Sequence, residues 1–236
     1  MGKDKLKRFE ENRHFACLYQ PEFEEVFRSD CDIKGKWNRE HFKNSSPIVL
    51  ELGCGRGEYT VEMARSFPEK NFIGVDIKGA RMWRGAKSVT EESIPNAAFV
   101  RCRIEFAESI FGWDEVSEIW ITFPDPQPKK CNKRLSSSFY LNRYKNFLKR
   151  GGVIHLKTDS AFLHEYTLAL IKYNNLELIE ACSDIYGTDR ADRLLSIKTH
   201  YEKQFLSQGI PITYLAFKLG DIQLVEPPET EELPEK

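Results

Sequence analysis

The chain has 236 residues, of which 41% are hydrophobic, 12% aromatic and 30% charged, with a formal net charge of −1. This length and composition predict a folded protein with one main core and argue against a disordered chain. No apolar run approaches the roughly 20 residues that span a bilayer, and no apolar signal segment follows the charged start of the chain, so we expect a cytoplasmic protein without membrane contacts.

The predicted elements alternate between strands and helices. Strands are predicted at 48–52, 72–76, 97–100, 119–123, 153–156, 176–182 and 212–219, and helices at 58–67, 79–89, 137–149 and 161–173. Such alternation indicates an α/β fold, a doubly wound and mostly parallel seven-stranded sheet with helices on both faces. Residues 1–46 are predicted to be a partly ordered arm, 47–220 the main domain, and 221–236 a disordered Pro/Glu-rich tail.

A glycine turn joins the first predicted strand to its helix, with the sequence Glu51-Leu-Gly-Cys-Gly-Arg-Gly57. A phosphate-binding P-loop and a dinucleotide-binding turn both require glycine at the next position, which is Glu58. The remaining features are an acid at a strand end and glycines, Gly53 and Gly55 among them, that let a ligand approach the backbone. S-adenosylmethionine suits this turn, since it carries an amino group and a sulfonium, and its carboxylate can lie near helix N–H groups. The alternative is a turn that only connects two elements.

Asp76 ends the second predicted strand, 19 residues after Gly57. An acid at this place in a doubly wound sheet accepts hydrogen bonds from ribose hydroxyls. We therefore predict that Glu51, Gly53, Gly55 and Asp76 bind the cofactor.

Asp125 lies between two prolines in the turn after the fourth predicted strand, 124–128. Proline fixes φ and removes an amide donor, so this turn should hold its carboxylate in place. In a doubly wound sheet the turn lies at the same crevice as the cofactor. The basic residues that follow at once suggest a nucleic-acid substrate: Lys129, Lys130, Lys133 and Arg134.

Charge is segregated along the chain. Without residues 221–236, which hold six acids and one base, 34 basic and 30 acidic residues remain, a net charge of +4. No acid occurs between Asp125 and Asp159, an interval with nine lysines and arginines. Two interpretations stay open, a solvated helix face and a phosphate-binding surface.

The six cysteines are scattered and form no C-x-x-C pair. In a reducing cytosol such cysteines are usually buried thiols. We therefore predict neither a structural zinc site nor any other bound metal.

Five segments together resemble the bacterial tRNA (guanine-N7)-methyltransferases, and they occur in the family's order across residues 45–220. They are Glu51-Leu-Gly-Cys-Gly-Arg-Gly57, Phe72-Ile-Gly-Val-Asp76, Phe123-Pro-Asp-Pro-Gln-Pro-Lys-Lys130, His155-Leu-Lys-Thr-Asp159 and Thr199-His-Tyr-Glu202. The resemblance implies a Rossmann-like class I methyltransferase that converts S-adenosylmethionine to S-adenosylhomocysteine. It implies tRNA as the partner and N7 of a guanine in the variable loop as the acceptor.

The resemblance also implies roles for single residues. Asp125 is the catalytic or site-organising acid and a neighbour of the cofactor. The tRNA guanine region would be contacted by Lys129, Asp159, Thr199, Tyr201 and Glu202. Asp159 could instead cap the following helix, and Glu202 could be an exposed helix residue.

Three positions depart from the family pattern. Arg103 stands where the family has an acid at the end of the third strand, so an adenine contact there would use the backbone of Arg103 and Ile104, or Glu105. Gln127 replaces the usual tryptophan, and Cys131-Asn132 replaces an Arg-His pair.

Two other functions stay open at this point. One is a class I methyltransferase that acts on another RNA, a protein or a metabolite. The other is a non-catalytic RNA-binding subunit of the same fold. The sequence predicts no oligomeric state.

Overall fold

The computed structural model describes residues 3–228. Its strands are β1 (Leu18–Tyr19), β2 (Ile48–Leu52), β3 (Asn71–Asp76), β4 (Ala97–Arg101), β5 (Val116–Thr122), β6 (Leu148–Thr158), β7 (Glu177–Cys182) and β8 (Thr213–Lys218). Its α-helices are α1 (Lys3–Asn12), α2 (Phe23–Val26), α3 (Glu58–Ser66), α4 (Gly79–Glu91), α5 (Ser138–Tyr144), α6 (Ala161–Tyr173) and α7 (His200–Ser207). Shorter helical turns cover Trp37–Phe42, Ile104–Ser109 and Cys131–Lys133.

The strands form one sheet in the order β1-β4-β3-β2-β5-β6-β8-β7. Strands β1 to β6 pair in parallel, and β8 pairs antiparallel with β6 and β7. Every residue of β2 is buried, because helices cover both faces of the sheet at its centre. The predicted α/β fold with a mostly parallel, doubly wound sheet is confirmed.

The sheet has one strand more than predicted. The additional strand, β1, has only two residues and pairs in parallel with the edge of β4, where Leu18 lies opposite Phe99. Two residues are too few to show a strand periodicity, so this strand exists through its pairing and not through its own pattern.

The helix predicted at 137–149 ends earlier, at Tyr144. Leu148 instead pairs with Val116 at the start of β6, and Gly151 takes the positive φ of 72° that this irregular part of the strand requires. A long strand therefore replaces the last turn of the predicted helix.

The N-terminal residues pack against the main sheet and its helices. Helix α1 lies on α4, where the Asn12 side chain donates to the carbonyl of Gly79 at 2.9 Å. Trp37 is 0% exposed and donates to the carbonyl of Ile110 at 3.1 Å.

The tail predicted at 221–236 is described only as far as residue 228. Within this part Leu224 is buried, and the Glu226 carboxylate accepts from the Ser138 amide at 2.8 Å and from the Tyr166 hydroxyl at 2.7 Å. Residues 229–236 lie outside the described residues, and the division into arm, domain and tail stays a prediction.

No helix within residues 3–228 has the length and apolar character needed to cross a membrane. All six cysteines are free thiols. In the same part of the chain, no three His, Cys, Asp or Glu side chains are grouped as a metal site would need.

Candidate functional site

A cleft of about 590 Å³ opens at the carboxyl ends of the central parallel strands. This is the edge where open α/β sheets bind their ligands. Every residue predicted to contact the cofactor lines the cleft, namely Glu51, Gly53, Gly55, Asp76, Arg103, Ile104 and Asp125.

The glycines of the turn after β2 fall into two kinds. Gly53 and Gly55 have φ values of 79° and 56°, and a Cβ added to either would meet no other atom closer than 3.8 Å. A Cβ on Gly57, in contrast, would lie 2.5 Å from the Phe99 ring. Gly53 and Gly55 therefore leave space for a ligand, whereas Gly57 allows close packing of α3.

Glu51 is buried at the end of β2. Its carboxylate accepts from the Thr60 amide at 2.8 Å, from the Thr60 hydroxyl, and from the Thr122 hydroxyl at 2.6 Å. Burial raises the pKa of Glu51 from 4.5 to about 7, because these donors only partly replace the lost hydration of the charged form. A cation placed in the cleft would favour the ionised carboxylate.

Asp76 at the end of β3 is held by main-chain donors. Its carboxylate accepts from the amide of Gly55 at 2.9 Å and from the amide of Lys78 at 2.7 Å. An ionised carboxylate offers about four acceptor sites. Two therefore remain for a pair of ligand hydroxyls.

The wall at the end of β4 combines apolar and charged side chains. Arg103 turns its guanidinium toward the Glu105 carboxylate at 3.2 Å, and Lys133 lies 3.5 Å from the same group. Ile104, Leu135 and Tyr140 supply the apolar part of this wall. An apolar wall of this kind suits a flat base, and the carboxylate of Glu105 stands beside it.

The loop with Asp125 carries its carboxylate in an exposed position at the mouth of the cleft. Both carboxylate oxygens accept from Gln127, from the amide at 3.2 Å and from the side chain at 2.8 Å. Gln127 and Phe123 have φ values of 47° and 49°, so the loop leaves β5 through left-handed backbone. The Asp125 carboxylate is therefore accessible from solvent.

Arg134 joins this loop to helix α6. Its guanidinium donates to the carbonyls of Gln127 at 3.1 Å and Pro128 at 2.7 Å, and it lies over the rings of Phe162 and Tyr166. From the sequence, Arg134 belongs to the basic run that suggests RNA binding. No local pattern indicates its contact with aromatic residues of α6.

Thr199 and Tyr201 lie on the side of the cleft formed by α7. Both line the cavity, and the Tyr201 side chain is exposed to solvent. Thr199 caps the helix, since its hydroxyl accepts from the Glu202 amide at 3.2 Å. The structure thus brings two of the five residues predicted to contact tRNA to the cleft.

Glu202 lies in the interior, with 0% exposure. Its carboxylate contacts Nζ of Lys157 at 2.8 Å and accepts from the Tyr186 hydroxyl at 2.7 Å. Nζ of Lys157 also donates to the carbonyls of Leu195 and Ile197. A direct contact between Glu202 and RNA would require this buried group to leave its partners.

Lys129 and Asp159 do not line the cleft. Lys129 is exposed in the loop after Asp125, and Asp159 is half-buried at the end of β6, where burial raises its pKa. The cap of α6 is Ser160, whose hydroxyl accepts from the Leu163 amide at 3.2 Å, and not Asp159.

Most bases of the acid-free interval 126–158 already have partners in the described structure. Four of them pair with carboxylates, and these are Lys133, Arg143, Arg150 and Lys157. Arg134 holds the Asp125 loop, and Lys145 donates to the carbonyl of Ile222 at 2.5 Å. Near Asp125, only Lys129 and Lys130 remain exposed without an ion pair among residues 3–228. The interval does not form one continuous phosphate-binding surface.

Comparisons with known proteins agree with this geometry. A family model described as "Putative methyltransferase" matches residues 45–215. The tRNA (guanine-N(7)-)-methyltransferase of Christiangramia forsetii is 53% identical over 92% of this chain and 99% of its own length. The protein of that name from Bacteroides thetaiotaomicron is 48% identical over 98% of this chain and 92% of its own.

Solved structures of lower identity share the fold. The 16S rRNA methyltransferase KamB is similar with a TM-score of 0.61 at 14% identity, over 79% of this chain and 94% of that chain. A 16S rRNA (adenine(1408)-N(1))-methyltransferase from Catenulisporales acidiphilia, solved with its cosubstrate SAM, has a TM-score of 0.53 at 14% identity, over 77% of this chain and 89% of that chain. At this identity the likeness concerns the fold alone.

Proposed function

Because this chain belongs to the tRNA (guanine-N7)-methyltransferase family, we propose that it transfers a methyl group from S-adenosylmethionine to N7 of a guanine in the variable loop of tRNA. The observation that carries the proposal is the meeting of Glu51, Asp76 and Asp125 at one cleft. The identity to relatives that bear this name supports tRNA over a protein or a metabolite as substrate. A cytoplasmic location, where tRNA is found, belongs to the same proposal.

The donor groups of the cleft fit S-adenosylmethionine, which supplies an electrophilic methyl group when bound. The Glu51 carboxylate matches a cationic amino group, and the two free acceptor sites of Asp76 match ribose hydroxyls. The apolar wall with Ile104 and Tyr140 matches the adenine base. Gly53 and Gly55 leave room for the ligand to approach the backbone.

The reaction requires little acid–base chemistry from the protein. Guanine N7 has an exposed lone pair and no proton, so it needs no deprotonation before attack. The protein therefore acts mainly by alignment, with the reacting atoms held about 3–3.5 Å apart at the start. The rigid loop from Phe123 to Pro128 and the wall with Tyr201 are the elements that position the base.

Asp125 has two roles open to it in this proposal. As the methyl group moves, positive charge develops on the purine, and the nearby carboxylate stabilises that charge. The same carboxylate can hold guanine by accepting from N1–H and N2–H, because Gln127 occupies only part of its acceptor capacity. Both roles require the negative charge at the cleft mouth.

The proposed acceptor is tested by labelled methyl transfer to an unmodified tRNA transcript and to the same transcript with adenine at the variable-loop guanine. We expect incorporation into the first and background incorporation into the second, because adenine lacks the N1–H and N2–H donors at that place. Mass spectrometry of nuclease digests locates the label. Equal incorporation into both transcripts would exclude the variable-loop guanine.

Asp125→Ala provides the catalytic control in the same assay. It should bind S-adenosylmethionine and remain folded, yet lose most turnover, on the order of 10²-fold as for other groups that stabilise transition-state charge. Normal turnover by this variant would remove Asp125 from the mechanism.

A further inference from the structure

Helix α4 and the residue before it carry a second acid-free interval. Between Asp76 and Glu91 the chain has no acid, and its four bases recur at every third position, Lys78, Arg81, Arg84 and Lys87. The spacing places successive bases side by side along a helix.

The bases lie on the solvent side of α4. The opposite side, with Met82, Ala86 and Val89, is buried. Lys78, Arg81 and Arg84 are exposed and have no ion pair among residues 3–228, and Lys87 lies 3.6 Å from Glu91 at the far end of the helix. We call the four residues Lys78, Arg81, Arg84 and Lys87 the α4 stripe.

Like charges that are neighbours on one face of a helix destabilise the helix. The α4 stripe contains two such pairs, Arg81 with Arg84 and Arg84 with Lys87, at a surface where ion pairs with the protein's own acids are nearly absent from the described structure. The bases in 126–158 differ, because most of them are already paired. An external polyanion is the partner that the α4 stripe fits by charge.

The stripe begins at the cleft. Lys78 and Arg81 line the cavity, and the Arg81 guanidinium lies 5.9 Å from the centre of the Tyr201 ring. At 1.5 Å per residue, the stripe runs about 14 Å away from the cleft. A nucleic-acid strand that places one base beside Asp125 can therefore continue along the α4 stripe.

Helix α1 widens the stripe at its far end. Arg8 and Lys87 lie over the Trp83 ring, at 4.9 Å and 5.0 Å from its centroid. The indole thus brings a cation of α1 and a cation of α4 to one aromatic ring. The exposed bases thus continue from the cleft mouth over α4 to Arg8 of α1, where the Glu11 carboxylate accepts from the Trp83 indole and pairs with Lys7.

We propose that the α4 stripe binds the sugar-phosphate backbone of the tRNA substrate and positions the target guanine at the cleft. The proposal rests on the proposed function, since it takes tRNA as the ligand. In this proposal most phosphate contacts come from the α4 stripe, and few come from residues 126–158.

The test uses Arg84→Gln together with Lys87→Gln, because neither residue lines the cofactor cleft. The loss of two phosphate contacts should reduce the slope of log affinity against log salt by about 1.4. If the variant and the unaltered protein bind tRNA equally at about 1 M salt, this change in slope corresponds to roughly tenfold weaker binding by the variant at about 0.15 M salt. KM for tRNA should rise to the same extent, while kcat at saturating tRNA and Kd for S-adenosylmethionine stay within about twofold.

Lys43→Gln together with Lys149→Gln is the matched control. Both lysines are exposed and have no ion pair in the described part of the chain, and they lie at the amino ends of β2 and β6, away from the cleft. This control should keep the wild-type affinity and salt slope.

Two results would overturn the α4 proposal. The first is wild-type tRNA affinity in the α4 double variant. The second is an equal loss of affinity in the control, which would indicate a general charge effect. Failure of the proposed function gives a different result, because the unaltered protein would then transfer no methyl group to tRNA.

Discussion

Glu51 is the residue whose chemistry depends most on an occupied cleft. Burial raises its pKa to about 7, although three donors from Thr60 and Thr122 surround the carboxylate. The ionised form that would hold a cationic amino group is therefore only partly populated near neutral pH in the absence of ligand. A bound cation and ionised Glu51 stabilise each other.

We predict that affinity for S-adenosylmethionine increases as the pH rises. Protonated Glu51 attracts no cation, so binding should strengthen by roughly tenfold between about pH 5.5 and pH 7 while the carboxylate ionises. Isothermal titration calorimetry across this range measures the change. Glu51→Gln should bind weakly and without this pH dependence, and an equal dependence in that variant would assign it to another group.

The same raised pKa has a consequence for stability without ligand. The folded protein holds the Glu51 proton more tightly than the unfolded chain does, so the contribution of this group to the free energy of unfolding decreases as pH rises from about 4.5 toward 7. Because the shift follows from burial, Glu51→Gln removes this decrease.

At the scale of elements, the segment before α7 depends on one buried ion pair. Lys157 of β6 holds the carbonyls of Leu195 and Ile197 and the carboxylate of Glu202. These contacts join the sheet to the segment that carries Thr199 and Tyr201 at the cleft. The buried Glu202 carboxylate thus helps to hold in place the segment that lines the cleft.

We predict that Glu202→Gln lowers the free energy of unfolding by about 3–5 kcal/mol, because it leaves the Lys157 ammonium buried without its counter-charge. Urea unfolding measures the loss. The matched control is Glu177→Gln, which removes an ion pair of similar length, 2.7 Å, whose carboxylate side chain is 63% exposed. The control should cost about 0–1 kcal/mol, and equal losses in the two variants would contradict the larger contribution of the buried ion pair to stability.

Helix α7 shows which contacts have a local sequence pattern and which do not. Thr199-His-Tyr-Glu202 is a capping box, and both of its reciprocal bonds are present at the start of α7. The family resemblance assigns this segment to tRNA contact, and no helix is predicted there. The pairing of Glu202 with Lys157, 45 residues away, has no local signal at all.

For the molecule as a whole, the sequence predicts the sheet, and it places four of the residues that line the cleft at one edge of that sheet. Buried apolar runs and the glycine turn are local patterns, so they place Glu51, Gly53, Gly55 and Asp76 at one edge of the sheet, where the cleft lies. The two-residue strand β1 and the partners of Arg134 depend on contacts between distant residues. Such contacts cannot be predicted from spacing along one chain.

The distribution of charge was the least predictable property of the molecule. The acid-free interval after Asp125 has nine bases, of which four pair with carboxylates and two donate to main-chain carbonyls. Lys129 and Lys130 beside Asp125, and Lys149 at the amino end of β6, are exposed without an ion pair in residues 3–228. The α4 stripe also leaves three bases exposed without an ion pair in residues 3–228, but these follow one another along one helix and two of them line the cleft. The position of unpaired charge beside the cleft, and not the number of bases in a segment, indicates where a polyanion binds.

Guanine N7 in tRNA is the proposed acceptor atom, and 7-deazaguanine changes that atom alone. This base replaces N7 with a C–H group and keeps the Watson–Crick edge that Asp125 could hold. The measurement is labelled methyl transfer to a tRNA with 7-deazaguanine at the variable-loop position, beside the same tRNA with guanine. We expect similar binding of both tRNAs and label only in the guanine form, whereas equal label in the 7-deaza form would exclude N7 as the acceptor.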